Sequence, residues 1–217
     1  MPADITINLW KQHLGTVPVD IWQQTDTTVL ILADNDLTEI SSSIGGMQCL
    51  RTLDLGHNQL ASLPEEIGEL AGLSDFLYLH DNRLTSLPVS IAALARLRYL
   101  NISENQLTVF PDSICRISGL LELRVTDNQL SQFPTSIGGM TQLRELHLRN
   151  NRLCTLPEEI AGCSELRQID LRGNPIEALP DAIAQLPKLE KLDLRWVTFE
   201  EPAWLSDLEA RGCLVYR

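Results

Sequence analysis

Leucine and isoleucine recur along the chain at fixed positions, with polar residues between them. The stretch from Leu143 to Pro157 shows the pattern, which is Leu-x-x-Leu-x-Leu-x-x-Asn-x-Leu-x-x-Leu-Pro. The pattern returns every 23 residues, except for one spacing of 24 between Asn58 and Asn82. Seven copies carry the asparagine: Asn35, Asn58, Asn82, Asn105, Asn128, Asn151 and Asn174. A fixed period of this length indicates a solenoid, in which each unit buries its apolar side against its neighbours.

Degenerate copies without the asparagine extend the array at both ends, which gives nine units. No linker-like stretch or charge block interrupts the repeat, so we predict a single domain over residues 1–217. Within it, residues 1–24 form a degenerate N-terminal capping repeat and residues 25–188 form the regular repeats. Residues 189–217 then form the last repeat and a C-terminal cap helix that covers the end of the stack.

Each part of the unit predicts a local structure. The Leu-x-Leu alternation predicts a short strand, and stacked units align these strands in a parallel sheet. The asparagine follows the strand at a turn, where its amide can pair with backbone groups of neighbouring turns. The Leu-Pro-x-x-Ile-x-x-Leu segment returns the chain through a 3₁₀ or short helical turn. We therefore predict an α/β fold, a right-handed curved solenoid with about nine strands on its concave side and short helices on its convex side.

These residues resemble the leucine-rich repeat superfamily over essentially the whole chain. The 23-residue unit is similar to the intracellular class found in Ras-associated scaffold proteins, their plant relatives and many bacterial proteins, including effectors injected into host cells. The resemblance implies a protein-binding module of signalling type, without catalysis or a cofactor. An alternative stays open, in which the chain is the recognition part of a larger enzyme or host-delivered effector, for example a ligase.

Composition narrows the range of partners. Acidic residues outnumber basic ones by 29 to 17, and the net charge of −12 disfavours nucleic acid as a partner. No apolar window is long enough to span a membrane, and the start of the chain lacks the pattern of a signal peptide. The five cysteines are scattered, without the spacing of a disulfide cap or a zinc site. We expect a cytoplasmic monomer that binds a protein or peptide, with delivery into a host cell as the alternative location.

The strongest candidate for a binding surface is an aromatic group on the concave face. Stacked strands place equivalent residues in columns about 4.8 Å apart. This brings Phe76, Tyr78 and Tyr99 together, with His80 beside them, in a chain that is only 5% aromatic. Such rings are typical of binding hot spots, although they can also simply cover one another. The extra residue of the 24-residue spacing falls at residues 74–75, where we predict a bulge that re-aims Phe76.

A second candidate is a column of three arginines, Arg149, Arg172 and Arg195. Like charges in one column are unfavourable unless they are relieved. They either pair with neighbouring carboxylates such as Asp170 and Asp193, or they meet an acidic patch on a partner. The predicted partner-binding residues are Phe76, Tyr78, His80, Tyr99, Asn101, Arg124, His147, Arg149, Arg172 and Arg195.

Known catalytic motifs are absent from the sequence, which contains no phosphate-binding glycine loop, nucleophile elbow, His-Glu-x-x-His or Cys-x-x-Cys. The nearest approach to a catalytic constellation is His80 with Ser103 and Asp54 on adjacent strands. An open sheet offers these residues neither an oxyanion hole nor protection from water, so we predict no enzymatic activity. We expect His147 to be a hydrogen-bonded surface residue and predict no metal site.

Overall fold

The computed structural model describes residues 4–217 and contains one parallel sheet whose ten strands follow one another in sequence order. The strands are β1 Thr6–Asn8, β2 Val29–Ile31, β3 Thr52–Asp54, β4 Phe76–Tyr78, β5 Tyr99–Asn101, β6 Glu122–Arg124, β7 Glu145–His147, β8 Gln168–Asp170, β9 Lys191–Asp193 and β10 Leu214–Tyr216. The predicted solenoid fold is confirmed. The sheet has one strand more than the nine repeats because β10 pairs with β9 after the last repeat.

The core lies between the sheet and the returning segments. From β2 to β9, the middle residue of each strand is at most 1% exposed, whereas its two neighbours mostly lie half-buried on the open face. This alternation follows from strand geometry, in which successive side chains point to opposite sides. The buried leucines and isoleucines of all repeats form one continuous apolar cluster. The open face is therefore a surface of variable residues on a rigid, apolar support.

Within residues 4–217, eight 3₁₀ helices form the opposite side of the solenoid. They are Val19–Gln23, Ser42–Gly46, Glu65–Glu69, Val89–Ala93, Asp112–Arg116, Thr135–Gly139, Glu158–Gly162 and Asp181–Gln185. A proline precedes seven of them, and its fixed φ starts the turn. Neighbouring helices pack closely where a glycine lies at the contact. For example, a Cβ at Gly68 would collide with the carbonyl oxygen of Ser90 in the next repeat.

The seven asparagines of the repeat are buried, with 0–8% of each residue exposed. Asn105 illustrates their bonding: its Oδ1 accepts from the Leu84 N–H at 2.9 Å, and its Nδ2 donates to the carbonyls of Leu79 and Ile102 at 3.0 and 3.2 Å. The residue before each of them has a left-handed backbone, for example Glu104 with φ of 55°. Each amide thus joins its own turn to the turn of the preceding repeat.

A short helix covers the last repeat. Helix α1, Trp204–Ala210, buries Leu205 and Leu208 against the end of the core. The Nε1 of Trp204 donates to Asp181 Oδ1 at 2.9 Å, which ties the helix to the preceding 3₁₀ turn. The chain then passes through Gly212, whose φ is +93°, and enters β10.

The predicted bulge before Phe76 is wrong. Strand β4 pairs with β3 in unbroken register, with Thr52 opposite Phe76. The N–H groups of Asp75 and Phe76 donate to one carbonyl of the preceding repeat, as the equivalent pairs of other repeats do. The extra residue is therefore absorbed at Ser74, in the loop ahead of the strand, because that loop makes fewer ladder bonds than the strand itself. Phe76 keeps its place in the column.

Candidate protein-binding surface

The aromatic patch, which we define as Phe76, Tyr78 and Tyr99, lies on β4 and β5 on the open face of the sheet. The ring centroids are 5.8 Å apart for Phe76 and Tyr78, and Tyr99 lies 5.5 and 5.1 Å from these two rings. The rings cover one another in part, yet Phe76 remains 42% exposed. Burial raises the pKa of Tyr99 to about 12, and burial followed by the charge of Asp54 also raises the pKa of Tyr78. Both hydroxyls therefore stay protonated at neutral pH and can donate hydrogen bonds.

His80 extends the patch toward the carboxyl ends of the strands. Its ring centroid lies 6.0 Å from that of Tyr78, and its Nε2 lies 3.2 Å from the Nε2 of His57. The other nitrogen of His57 lies 2.7 Å from Asp81 Oδ2. Gly56 makes room for this arrangement, because a Cβ there would meet the His80 ring. Burial, and then the nearby His57, lower the pKa of His80, so the ring is neutral at physiological pH.

A network of charged side chains borders the patch on β6 and β7. The Arg124 guanidinium lies 5.9 Å from the Tyr99 ring centre, and its Nε donates to Glu122 Oε1 at 2.6 Å. His147 Nε2 lies 3.2 Å from Glu145 Oε2 and 3.8 Å from Glu122 Oε1. Burial, and then the charge of Arg124, lower the pKa of His147. The imidazole and the two carboxylates lie close enough to share a cation, but Arg124 already supplies a positive charge to Glu122.

Asn101 joins the patch to this network. It lies opposite Tyr78 in the register of β4 and β5, and opposite Arg124 in that of β5 and β6. Its Oδ1 accepts a hydrogen bond from the Ser103 N–H at 3.1 Å. The stacking of repeats thus brings six of the predicted binding residues onto the four adjacent strands β4 to β7. The aromatic residues lie on β4 and β5, and the charged residues lie on β6 and β7.

The column of three arginines divides into two kinds. Arg172 donates to both oxygens of Asp170 at 2.9 and 2.6 Å, and Arg195 donates to both oxygens of Asp193 at 3.0 and 2.8 Å. Burial opposes ionisation of Asp193, but the hydrogen bonds and charge of Arg195, with the charge of Arg172, outweigh it and hold its pKa below the usual range. These two arginines are paired within the protein.

Arg149 is different because His147 takes the place of the aspartate two residues before it. Its guanidinium lies 5.7 Å from the ring centre of Trp196, which also lies 6.0 Å from the guanidinium of Arg195. Within residues 4–217, its Nε is buried without a hydrogen-bond partner. Trp196 is 69% exposed, so it forms a second exposed aromatic surface that the sequence analysis did not identify.

A further feature missed by the sequence analysis is a basic groove at the amino ends of the strands. We call it the amino-end groove and define it by Arg51, Arg96, Arg98 and Arg144; it has a volume of about 790 Å³. Three of these residues directly precede a strand, at a position seven residues before the asparagine position of the repeat. An apolar pocket of about 350 Å³ adjoins the groove between Phe76 and Tyr99. The sequence does indicate this groove, because the residues seven positions before each asparagine form a further column in which arginine recurs.

The three residues considered as a catalytic constellation each have other partners. His80 contacts His57, Asp54 Oδ1 accepts from the backbone N–H two residues further on at 2.9 Å, and Ser103 Oγ accepts from a backbone N–H of the next repeat at 3.1 Å. Ser103 is only 7% exposed. A hydroxyl that is buried and bonded to the backbone is poorly placed to attack a substrate.

The fold and the open face define a repeat solenoid that presents one continuous sheet. Leucine rich repeat sequence profiles match residues 75–130, 131–176 and 141–196, and a second profile of the same kind matches residues 49–70. The chain belongs to the leucine-rich repeat family. Among residues 4–217, no helix combines the length and apolar character needed to cross a membrane.

Relatives and solved structures agree with this family. The mouse leucine-rich repeat and calponin homology domain-containing protein 1 is 34% identical over 100 residues, which are 46% of this chain and 14% of that protein. The chain thus spans only a small part of the length of this relative. A leucine-rich repeat protein of Leptospira interrogans is 31% identical with a TM-score of 0.90, and the match covers 100% of this chain and 61% of that one.

A plant receptor gives a further comparison. The leucine-rich repeat ectodomain of the Arabidopsis thaliana membrane receptor kinase GASSHO1/SCHENGEN3, solved in complex with CASPARIAN STRIP INTEGRITY FACTOR 2, is 29% identical with a TM-score of 0.78. The match covers 88% of this chain and 24% of that one. This fold therefore occurs in a plant receptor whose ectodomain was solved in complex with a bound factor.

Proposed function

We propose that this chain is a non-catalytic interaction module that binds a partner protein or peptide on the concave face of its sheet. The observation that carries the proposal is the aromatic patch, where Phe76 stays 42% exposed beside Tyr78 and Tyr99 on a rigid support. Rigid rings provide a large contact area with little loss of side-chain entropy, and they are enriched among the residues that dominate binding energy. The binding residues around the patch are His80, Asn101, Arg124, His147 and Arg149.

The two paired arginines have a supporting role in this proposal. Arg172 and Arg195 already bond to Asp170 and Asp193, so recruiting them to a partner would leave a buried carboxylate unpaired. They therefore hold the carboxyl-terminal part of the face rigid. Arg149 lacks such a carboxylate and is the arginine of this column that we assign to partner contact.

The proposal is tested by affinity capture from an extract of the native cell, followed by mass spectrometry. The double variant Tyr78→Ala with Tyr99→Ala should lose most of the captured partner while its melting temperature changes little. Val89→Ala serves as the control, because Val89 is 69% exposed on a 3₁₀ helix at the far side of the repeat. Equal capture by the double variant and the control would exclude the patch as the binding site.

A second candidate is that these repeats are the recognition part of a longer protein, such as an enzyme or an effector. The specific observation in its favour is that the match to this chain covers only 14% of the mouse relative and 8% of a Drosophila melanogaster relative, so both relatives are much longer than the matched repeats. The sequence of the complete open reading frame distinguishes the two candidates. The sheet face serves recognition in both.

We also propose that the module acts as a monomer in the cytoplasm. All five cysteines are free in the structure, including three that are buried, which suits a reducing compartment. Sedimentation equilibrium tests the monomer, and cell fractionation tests the location. A stable dimer or recovery from the medium would refute the corresponding part.

A further inference from the structure

The arginines of the amino-end groove have an unusual status in an acidic protein. Arg96, Arg98 and Arg144 are exposed, and within residues 4–217 none of them has a carboxylate within salt-bridge distance. Arg51, at the edge of the groove, is by contrast paired with Asp4 at 3.2 Å and Asp75 at 2.7 Å. A chain with a net charge of −12 thus keeps three cations unpaired along one edge of its sheet.

The groove adjoins an apolar site. The pocket between Phe76 and Tyr99 is also lined by Leu121 and Arg98, and both of these residues line the groove as well. Two carboxylates line the pocket too, but Asp75 is paired with Arg51 at 2.7 Å and Glu122 with Arg124 at 2.6 Å. A ligand that places an apolar side chain on the aromatic patch therefore reaches the guanidinium of Arg98 with its next polar group. Arginine presents a planar fork that suits a carboxylate.

The opposite edge of the sheet is predominantly acidic, although the exposed residues Arg83 and Arg152 also lie there. Acidic side chains line the turns that follow the strands, at Asp34, Asp36, Asp81, Glu104 and Asp127. An acidic ligand is repelled from that edge and attracted to the amino-end groove. The two edges together orient the ligand across the sheet, and such complementarity acts mainly on association rate and orientation.

We infer that the partner segment is an acidic peptide with an apolar side chain next to its carboxylates, bound across the amino ends of β4 to β7. This inference rests on the proposed function and adds the chemistry of the partner. Arg98 and Arg144 precede strands β5 and β7, so they are about 10 Å apart along the sheet. In an extended peptide that distance spans roughly three residues. The apolar side chain lies on Phe76 and Tyr99, and carboxylates at that spacing meet the two arginines.

The test uses random peptides displayed on phage and selected on the wild-type protein. Selected peptides are then synthesised, and their affinities are measured by calorimetry at low and high ionic strength. We expect Asp or Glu within about three residues of a Phe, Trp, Tyr, Leu or Ile, and weaker binding at high salt. We expect Arg98→Gln and Arg144→Gln each to weaken binding roughly fivefold to tenfold.

Arg83→Gln is the matched control. Arg83 is exposed, has no salt-bridge partner within residues 4–217, and follows β4 at the acidic edge. Its replacement therefore removes the same charge from the edge opposite the amino-end groove. An equal loss from Arg83→Gln and Arg98→Gln would overturn the inference, because it would indicate a general charge effect.

The outcomes also separate this inference from the proposed function. Two results with the selected peptides would refute the inference but not the proposed function. In the first, the peptides lose affinity when Tyr78 and Tyr99 are replaced but carry no acidic residues. In the second, their affinity is unchanged by Arg98→Gln and Arg144→Gln. Peptides that bind the double variant Tyr78→Ala with Tyr99→Ala as well as the wild type would refute both. A selection that enriches no peptide would refute the inference alone, because the proposed function also allows a folded partner protein.

Discussion

Removing one buried asparagine amide should destabilise the solenoid far more than removing an exposed one. In Asn105→Ala the Leu84 N–H loses the Oδ1 that accepts its hydrogen bond at 2.9 Å, and the backbone of that turn offers it no other acceptor. The carbonyl of Leu79 loses one of two amide donors but keeps the Nδ2 of Asn82 at 3.2 Å. One orphaned buried donor and several weakened acceptors cost roughly 2–4 kcal/mol of the free energy of unfolding.

The assay is urea denaturation followed by circular dichroism, with the midpoint and slope compared between variants. Gln106→Ala is the matched control, because Gln106 carries the same amide one residue further on but is exposed. Its replacement should change the free energy of unfolding by less than about 0.5 kcal/mol. If both variants unfold at the same urea concentration, the amide does not join the repeats in the way described.

Three further outcomes follow from the packing and the charges. Gly68→Ala should destabilise the protein by about 1–3 kcal/mol, measured by the same denaturation, because the new Cβ collides with the carbonyl of Ser90. Asp193→Ala should lower the denaturation midpoint, because it removes a buried carboxylate that accepts two hydrogen bonds from the Arg195 side chain; an unchanged midpoint would refute this. The pKa of His147 is lowered in the folded state, so the unfolded chain binds this proton more tightly. The free energy of unfolding should therefore fall as pH drops below the ordinary value of 6.5, and His147→Gln should reduce that fall, as titration of the denaturation midpoint against pH will show.

The repeat period alone predicts much of the candidate site. Parallel strands that stack in register place residues 23 apart side by side, so the period predicts that Phe76 lies opposite Tyr99, as it does. The same reasoning predicts that the middle residue of each strand is buried. It works because a solenoid has only nearest-neighbour contacts, so position in the repeat determines position in space.

Ion pairs are harder to predict from the sequence where a column contains identical residues. Arg149, Arg172 and Arg195 look equivalent by position, but their bonding depends on the residue two places earlier on the same strand face. That residue is aspartate before Arg172 and Arg195 and His147 before Arg149. An Asp-x-Arg pattern on a strand therefore indicates a paired arginine, because alternate residues share one face.

Loop positions were the least predictable part. The 24-residue spacing predicts a distortion of β4, but the loop at Ser74 absorbs the extra residue because the ladder bonds of the strand resist a change of register. The amino-end groove is harder to predict because Arg98 and Arg144 lie just ahead of their strands, outside the residues that alternate between the two faces of the sheet. Charge along a sheet edge depends on every column of the repeat, including those in the turns.

Site-specific photo-crosslinking shows whether the open face around the aromatic patch contacts the partner. A benzoylphenylalanine replaces Phe76 in one protein and Val89 in another, and both positions are exposed, at 42% and 69%. Each protein is irradiated with the captured partner. We expect a covalent adduct from position 76 and none from position 89, whereas an adduct from position 89 alone would show that the partner binds the convex side.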